Sequence, residues 1–257
     1  MRIAVISDIH GNLLALEAVR ADFKTRSPDL VINLGDHVSG PLQAAATADL
    51  LMSEAYVSIR GNHDRQLLDR PAGEMGASDR AAFAQLQSRH KAWLEALPAG
   101  LSLEQGILVC HGTPASDLDY LLEEVSDGGV RLAPAGRIQS LLPEAVAPLG
   151  VTTLVLCGHS HVPRVVSIGG GVRVVNPGSV GLPAYDADEP QPHCVETGSP
   201  HARYAILDGD RNKWKVDLVA VEYDWDAAAK EAIRGGRAEW AHALRTGYAL
   251  RERSIRV

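Results

Sequence analysis

Seven residues spread along the chain are of types that ligate divalent metals: Asp8, His10, Asp36, Asn62, His111, His159 and His161. Each follows a short apolar run. Ile3 to Ile6 leads into Ser7-Asp8-Ile9-His10-Gly11-Asn12, Leu30 to Leu34 into Gly35-Asp36-His37, and Val57 to Ile59 into Arg60-Gly61-Asn62-His63-Asp64. Ile107 to Cys110 leads into His111-Gly112, and Leu154 to Cys157 into Gly158-His159-Ser160-His161. Short apolar runs bounded by glycine and turn residues have the pattern of buried strands, and open α/β sheets collect ligands beyond the carboxyl ends of their strands. The scattered side chains can therefore meet along one sheet edge, which is the arrangement of a two-metal hydrolytic centre. Glycines beside the ligands let the backbone turn sharply and approach an ion closely.

Carboxylate, imidazole and amide oxygen together suit hard or borderline divalent ions, and the absence of thiolate ligands disfavours a structural zinc site. Manganese is the first expectation, with Fe²⁺, Ni²⁺, Zn²⁺ and Mg²⁺ as alternatives. Cys110 and Cys157 fall inside apolar runs, and no CxxC spacing exists, so both read as small buried hydrophobes. Cys194 reads as a loop residue.

The blocks DxH, GD, GNHD, H and GHxH, in that order from Arg2 to about Gly181, resemble those of the calcineurin-like metallophosphoesterase superfamily. The length and the Asn176-Pro177-Gly178-Ser179 segment are most similar to its small bacterial and archaeal branch, often called YfcE-like. The resemblance implies an α/β fold built as a four-layer αββα sandwich. It implies that Asp8, His10 and His161 hold one ion, that Asn62, His111 and His159 hold the other, and that Asp36 bridges them. It further implies a dinuclear phosphoesterase in which a metal-bridging hydroxide attacks a small phosphodiester or nucleotide in line. His63 is then the catalytic residue at the leaving oxygen, with Asp64 orienting its other ring nitrogen. His37 and Arg60 are candidate substrate contacts, and Asn176 to Ser179 reads either as part of the pocket rim or as a simple turn.

Residue periodicity supplies the elements that position these groups. Asn12 can cap a helix with Leu13, Leu16, Val19 and Phe23 on one side, ended by Ser27-Pro28. A second helix is predicted over 41–54, one long helix over 78–97, and another over 130–148, broken near Pro134. His90 and His242 read as solvent-facing. Paired strands are predicted at 101–104 with 107–110 and at 164–168 with 171–175, and a hairpin joins 203–208 to 213–223. A final single helix spans about 226–246. Residues 182–201 lack periodicity and read as a long loop or lid. The whole reads as one domain over 1–257.

The chain has 257 residues and a formal charge of −7, from 32 acidic against 25 basic side chains. That balance argues against a dedicated nucleic-acid binder. No apolar stretch approaches the ~20 residues of a membrane span, and Ile3 to Ile6 begins too early for a signal peptide, so a cytoplasmic location is expected. The expected partner is a small phosphoester or nucleotide, with self-association left open. Three competing readings share the site: a phosphomonoesterase, a nuclease, and a non-catalytic scaffold of the same fold. The retained His63 and full ligand set count against the scaffold.

Overall fold

The computed structural model describes residues 1–142, 152–210 and 213–250. Two five-stranded mixed sheets form the centre. The first runs β14-β13-β1-β2-β3, from β1 (Arg2–Ile6), β2 (Leu30–Asn33), β3 (Val57–Ser58), β13 (Ala202–Asp210) and β14 (Lys213–Val221). The second runs β4-β5-β8-β10-β9, from β4 (Gly100–Leu103), β5 (Ile107–Cys110), β8 (Leu154–Leu156), β9 (Arg164–Ser167) and β10 (Arg173–Asn176). In each sheet three parallel strands (β1, β2 and β3; β5, β8 and β10) carry antiparallel partners at the margins.

Strand alternation explains the layering. Ile3 and Val5 of β1 face inward with Ile32, Leu34, Val109, Leu156 and Val175, forming the core between the sheets. Ala4 and Ile6, one residue out of phase, face Leu16, Val19 and Phe23 of helix α1 (Leu13–Thr25). On the far side Cys110, Val155, Cys157 and Val174 meet Ile138 of α6 (Ala135–Ser140). Strands buried on both faces must be apolar throughout, which is why the runs before each polar cluster read as continuous rather than alternating. The αββα expectation holds, and both cysteines are buried as small hydrophobes.

Asn12 caps α1, its Oδ1 accepting from the Ala15 amide at 3.2 Å. Other expectations are corrected. The helix predicted over 78–97 is two, α4 (Ala77–Phe83) and α5 (Ser88–Ala96), following α2 (Ala44–Met52) and α3 (Asn62–Asp69). His90 is buried, not solvent-facing. Its Nδ1 accepts from the Gln87 amide at 3.1 Å, and its Nε2 donates to Asp49 of α2 at 2.9 Å, so a new helix starts and docks there. His242 is half-buried. The final helix is also two, α7 (Trp225–Arg234) and α8 (Ala238–Thr246), because Gly235-Gly236 turns the chain, with Gly236 at φ +75°.

Residues 123–132 form a hairpin of β6 (Glu123–Ser126) and β7 (Gly129–Leu132), so the helix predicted from 130 is reduced to α6. Its predicted continuation beyond 142 lies outside the described residues. The segment predicted as a structureless loop contains a second hairpin, β11 (Ala184–Ala187) with β12 (His193–Glu196), and Cys194 lies in β12. No helix among the described residues is long and apolar enough to cross a membrane.

Candidate metal centre

The five polar clusters follow the carboxyl ends of the parallel strands, and backbone bonds lock their loops together. Asp8 N donates to Gly35 O at 3.0 Å, His10 N to Asp36 O at 3.0 Å, and Gly158 N to His111 O at 2.7 Å. Ser179 Oγ donates to Asp8 O at 2.7 Å, while Asn176 Nδ2 donates to Gly158 O at 2.7 Å. The Asn176–Ser179 segment therefore braces two ligand loops from beneath.

Among the described residues, five of the seven non-glycine positions with positive φ are candidate ligands: Asp8 (54°), His10 (51°), Asp36 (55°), His159 (66°) and His161 (57°). Left-handed backbone is uncommon for residues with a Cβ and persists where the surroundings over-determine it, as at functional sites. Two glycines make the approach possible. A Cβ at Gly61 would collide with the Asp36 carboxylate, and one at Gly158 with Ser7 Oγ and Asp8.

All seven predicted ligand-type residues converge. Asp8, His10 and His161 form one cluster, and Asp36, His111 and His159 a second, with ligand atoms within 4.8 Å of one another in each. Asn62 Oδ1 lies 3.0 Å from His111 Nε2. Both carboxylates stand between the clusters. Asp36 Oδ2 is 3.3 Å from His111 Nε2 and 3.9 Å from His10 Nε2. Asp8 Oδ1 is 3.3 Å from His161 Nε2 and 4.0 Å from His111 Nε2.

The residues present fit divalent cations. Each histidine commits one ring nitrogen to a backbone carbonyl: His10 Nδ1 to Ser39 (2.9 Å), His111 Nδ1 to Leu34 (2.7 Å), His161 Nδ1 to Leu182 (2.6 Å) and His159 Nε2 to Leu118 (3.0 Å). The other nitrogen is thereby turned inward with its lone pair, the outer-shell pattern of metal-binding imidazoles. His10 Nε2 and His161 Nε2 face each other at 3.1 Å, and the buried Asp8 Oδ1 has no hydrogen-bond partner. Lone pairs meeting lone pairs in a buried site call for a cation between them.

The ionisation pattern agrees. Burial opposes the charge on Asp8, but His161 and His111 overcome it and hold its pKa at about 2. Burial and the neighbouring His161 push His10 down to about 4, and burial with His111 does the same to His159. Burial works against a charged His111 too, yet Asp36 and Asp8 lift it to about 10.

The remaining expectations divide. His63 lines a cavity of about 630 Å³ that opens from the centre, and its amide donates to Asp36 Oδ1 at 2.9 Å. Its Nδ1, however, pairs with Asp79 Oδ1 at 2.8 Å, not with Asp64. Asp64 is fully buried on the other side of the loop. It accepts from the amides of Asp36 (2.8 Å), His37 (3.0 Å) and Gly61 (3.0 Å), and from His37 Nδ1 at 2.7 Å. That carboxylate is saturated with bonds that shape the ligand loops, so it cannot reach His63. His37 is also fully buried, packed edge-on against Trp93 at 5.0 Å, and does not face the cavity. Arg60 is half-buried and is not among the residues lining that cavity.

Asp79 and Ser39 lie against the Nδ1 side of His63, and the sequence pattern does not single them out. Ser39 Oγ donates to the same Asp79 oxygen at 2.6 Å, while Ser39 O receives His10 Nδ1. Asp79 sits in the first turn of α4, and no spacing rule ties it to a histidine 16 positions earlier. Tyr185 was missed for the same reason: its hydroxyl donates to His159 O at 3.1 Å from within the 182–201 segment.

Comparisons with known proteins follow the same lines. The model of the calcineurin-like phosphoesterase superfamily domain matches residues 1–198. An uncharacterized protein of Methanocaldococcus jannaschii is 27% identical over 265 residues, covering 93% of this chain and 94% of its own length. Among solved structures, a metallophosphoesterase from Sphaerobacter thermophilus is similar with a TM-score of 0.72 and 28% identity, covering 96% of this chain and 99% of that one. A hypothetical protein of Pyrococcus horikoshii shares the fold with the same TM-score at 21% identity, over 97% and 99% of the two chains. With more than half of its length matched by the family model, the chain belongs to the calcineurin-like phosphoesterase superfamily.

Proposed function

We propose that the protein is a phosphoesterase dependent on two divalent ions, manganese first among them, that hydrolyses a small phosphodiester. One observation carries this reading: two buried ligand clusters joined by Asp36 and Asp8, with four imidazoles turned inward by bonds to backbone carbonyls. Asp8, His10 and His161 would hold one ion; Asn62, His111 and His159 the other; Asp36 would serve both. Such a pair, when bound, acidifies a water to make the nucleophile and neutralises charge on the phosphoryl oxygens.

The chain's own residues do the rest. A loose phosphoryl-transfer transition state leaves the protein mainly positioning and charge compensation. His63 faces the cavity where the leaving oxygen departs. Burial works against its protonation, but Asp36 and Asp79 outweigh that and raise its pKa to about 9, so near neutrality it holds a proton to donate. Asp79 and Ser39 fix its Nδ1 side, which leaves Nε2 for the substrate. The cavity extends well beyond the ligand clusters, with room for both substituents of a small diester.

The test is metal analysis of protein prepared with Mn²⁺, followed by assays on bis(4-nitrophenyl) phosphate and 4-nitrophenyl phosphate. About two ions per chain and faster turnover of the diester support the proposal. Failure to retain metal, or no cleavage of either ester, refutes it.

A further inference from the structure

The outer part of the cavity is built by β11, inside the stretch that the family model matches, and by α8, beyond its end at residue 198. Helix α8 supplies Glu239 and Trp240, with Arg237 at its N-cap, and β11 supplies Tyr185 and Asp186, with Asp188 just beyond it. Trp240 is only 6% exposed. Its ring packs edge-on to His10 at 6.1 Å and carries the Arg237 guanidinium 5.8 Å above it. It is packed with Leu182, Ala184 and Ala243 into one apolar cluster, so this wall is rigid and largely apolar. A volume of about 630 Å³ is of the size that encloses a whole small organic ligand, not a phosphoryl group alone.

The charges around that space are lopsided. Among the described residues of this outer part, three carboxylates, Asp186, Asp188 and Glu239, face one guanidinium, and Arg237 is already paired with Glu239. The exposed Asp186 and Asp188 are thus left as the unpaired charges among the described residues of the mouth. A phosphoryl group held at the ligand clusters would extend its leaving group toward these carboxylates. A second phosphate there meets repulsion from Asp186 and Asp188, with Arg237 already engaged by Glu239.

We infer that the cavity formed by α8 and β11 selects phosphoesters whose leaving group is partly apolar and carries no further phosphate, with Asp186 and Asp188 as the specificity-determining residues. This rests on the phosphoesterase reading above and narrows it: polyphosphate esters are poor substrates.

The experiment compares kcat/KM of the Mn²⁺-loaded protein for bis(4-nitrophenyl) phosphate and for diadenosine tetraphosphate, in the wild type, in Asp186→Asn/Asp188→Asn and in Asp186→Lys/Asp188→Lys. Both positions are exposed, so neither double variant strains the core. The polyphosphate-to-aryl-diester ratio should be low in the wild type and rise about fivefold on neutralisation, the factor that two solvent-screened repulsions supply, and further on reversal. Dissociation constants of non-hydrolysed phosphonates with and without a second phosphonate, measured by calorimetry, should move in the same order. A ratio that stays constant across the series, or a wild type that prefers the polyphosphate, overturns the inference while leaving the hydrolytic reading intact. Absence of cleavage of either ester overturns that reading itself.

Discussion

Replacing Asp79 by asparagine tests the least obvious part of the site. Asp79 is 1% exposed, and its Oδ1 receives both His63 Nδ1 at 2.8 Å and Ser39 Oγ at 2.6 Å. Asparagine keeps the shape but removes the charge, and its amide can no longer fix which ring nitrogen of His63 holds the proton. In the metal-free chain Asp36 and Asp79 together raise His63 to about 9. Bound cations would offset Asp36, leaving Asp79 as the main support of the charged imidazole. Without it, His63 falls to about its ordinary value of 6.5 or lower, and at pH 7.5 only about a tenth of it is protonated. Turnover of an alkyl ester, which needs a proton on its leaving oxygen, should drop about tenfold or more at that pH. The alkaline limb of the kcat profile should move down, toward about pH 6.5. A 4-nitrophenyl ester, with a leaving group that departs unaided, should lose much less. The assay is kcat from pH 5.5 to 10 on both esters, with metal content measured in parallel. An unmoved alkaline limb, or equal losses on both esters, refutes the assignment.

Other expectations follow from the same geometry. Asp64→Asn removes a carboxylate that accepts three amides and His37 Nδ1, so it should destabilise the fold by about 2–3 kcal/mol in urea melts and weaken metal retention. Unchanged stability would show that those bonds are dispensable. Gly61→Ala places a methyl against the Asp36 carboxylate and should abolish metal loading by elemental analysis, whereas Gly73→Ala, with open space around its Cβ, should not. In metal-free protein, His111 and His63 are raised to about 10 and about 9, so the stability they contribute is complete below pH 6.5 and is lost as pH rises through 9 to 10. His10 and His159 are lowered to about 4, so theirs is lost as pH falls from 6.5 through 4. Thermal melts in a chelator should therefore peak near pH 6.5; a monotonic profile would contradict the paired shifts.

The sequence by itself determined the strands of the two central sheets and the polar clusters that follow them. Runs buried on both faces must be apolar along their whole length, and polar clusters with glycines mark where each run leaves the sheet, so Asp8, His10, Asp36, Asn62, His111, His159 and His161 were legible without coordinates. The broken helices were not, because periodicity continues through a break such as Gln87, where a buried His90 redirects the chain. Nor were the partners of individual side chains. Asp64 is adjacent to His63 in sequence yet points into the loop backbone, while Asp79, from another helix, reaches the imidazole. The cavity wall is decided at the same level: Trp240, Arg237, Asp186 and Asp188 become neighbours only when α8 packs against β11. Local pattern reports burial and turn geometry, whereas which distant carboxylate meets which histidine depends on how helices are laid over the sheets, and only tertiary packing sets that.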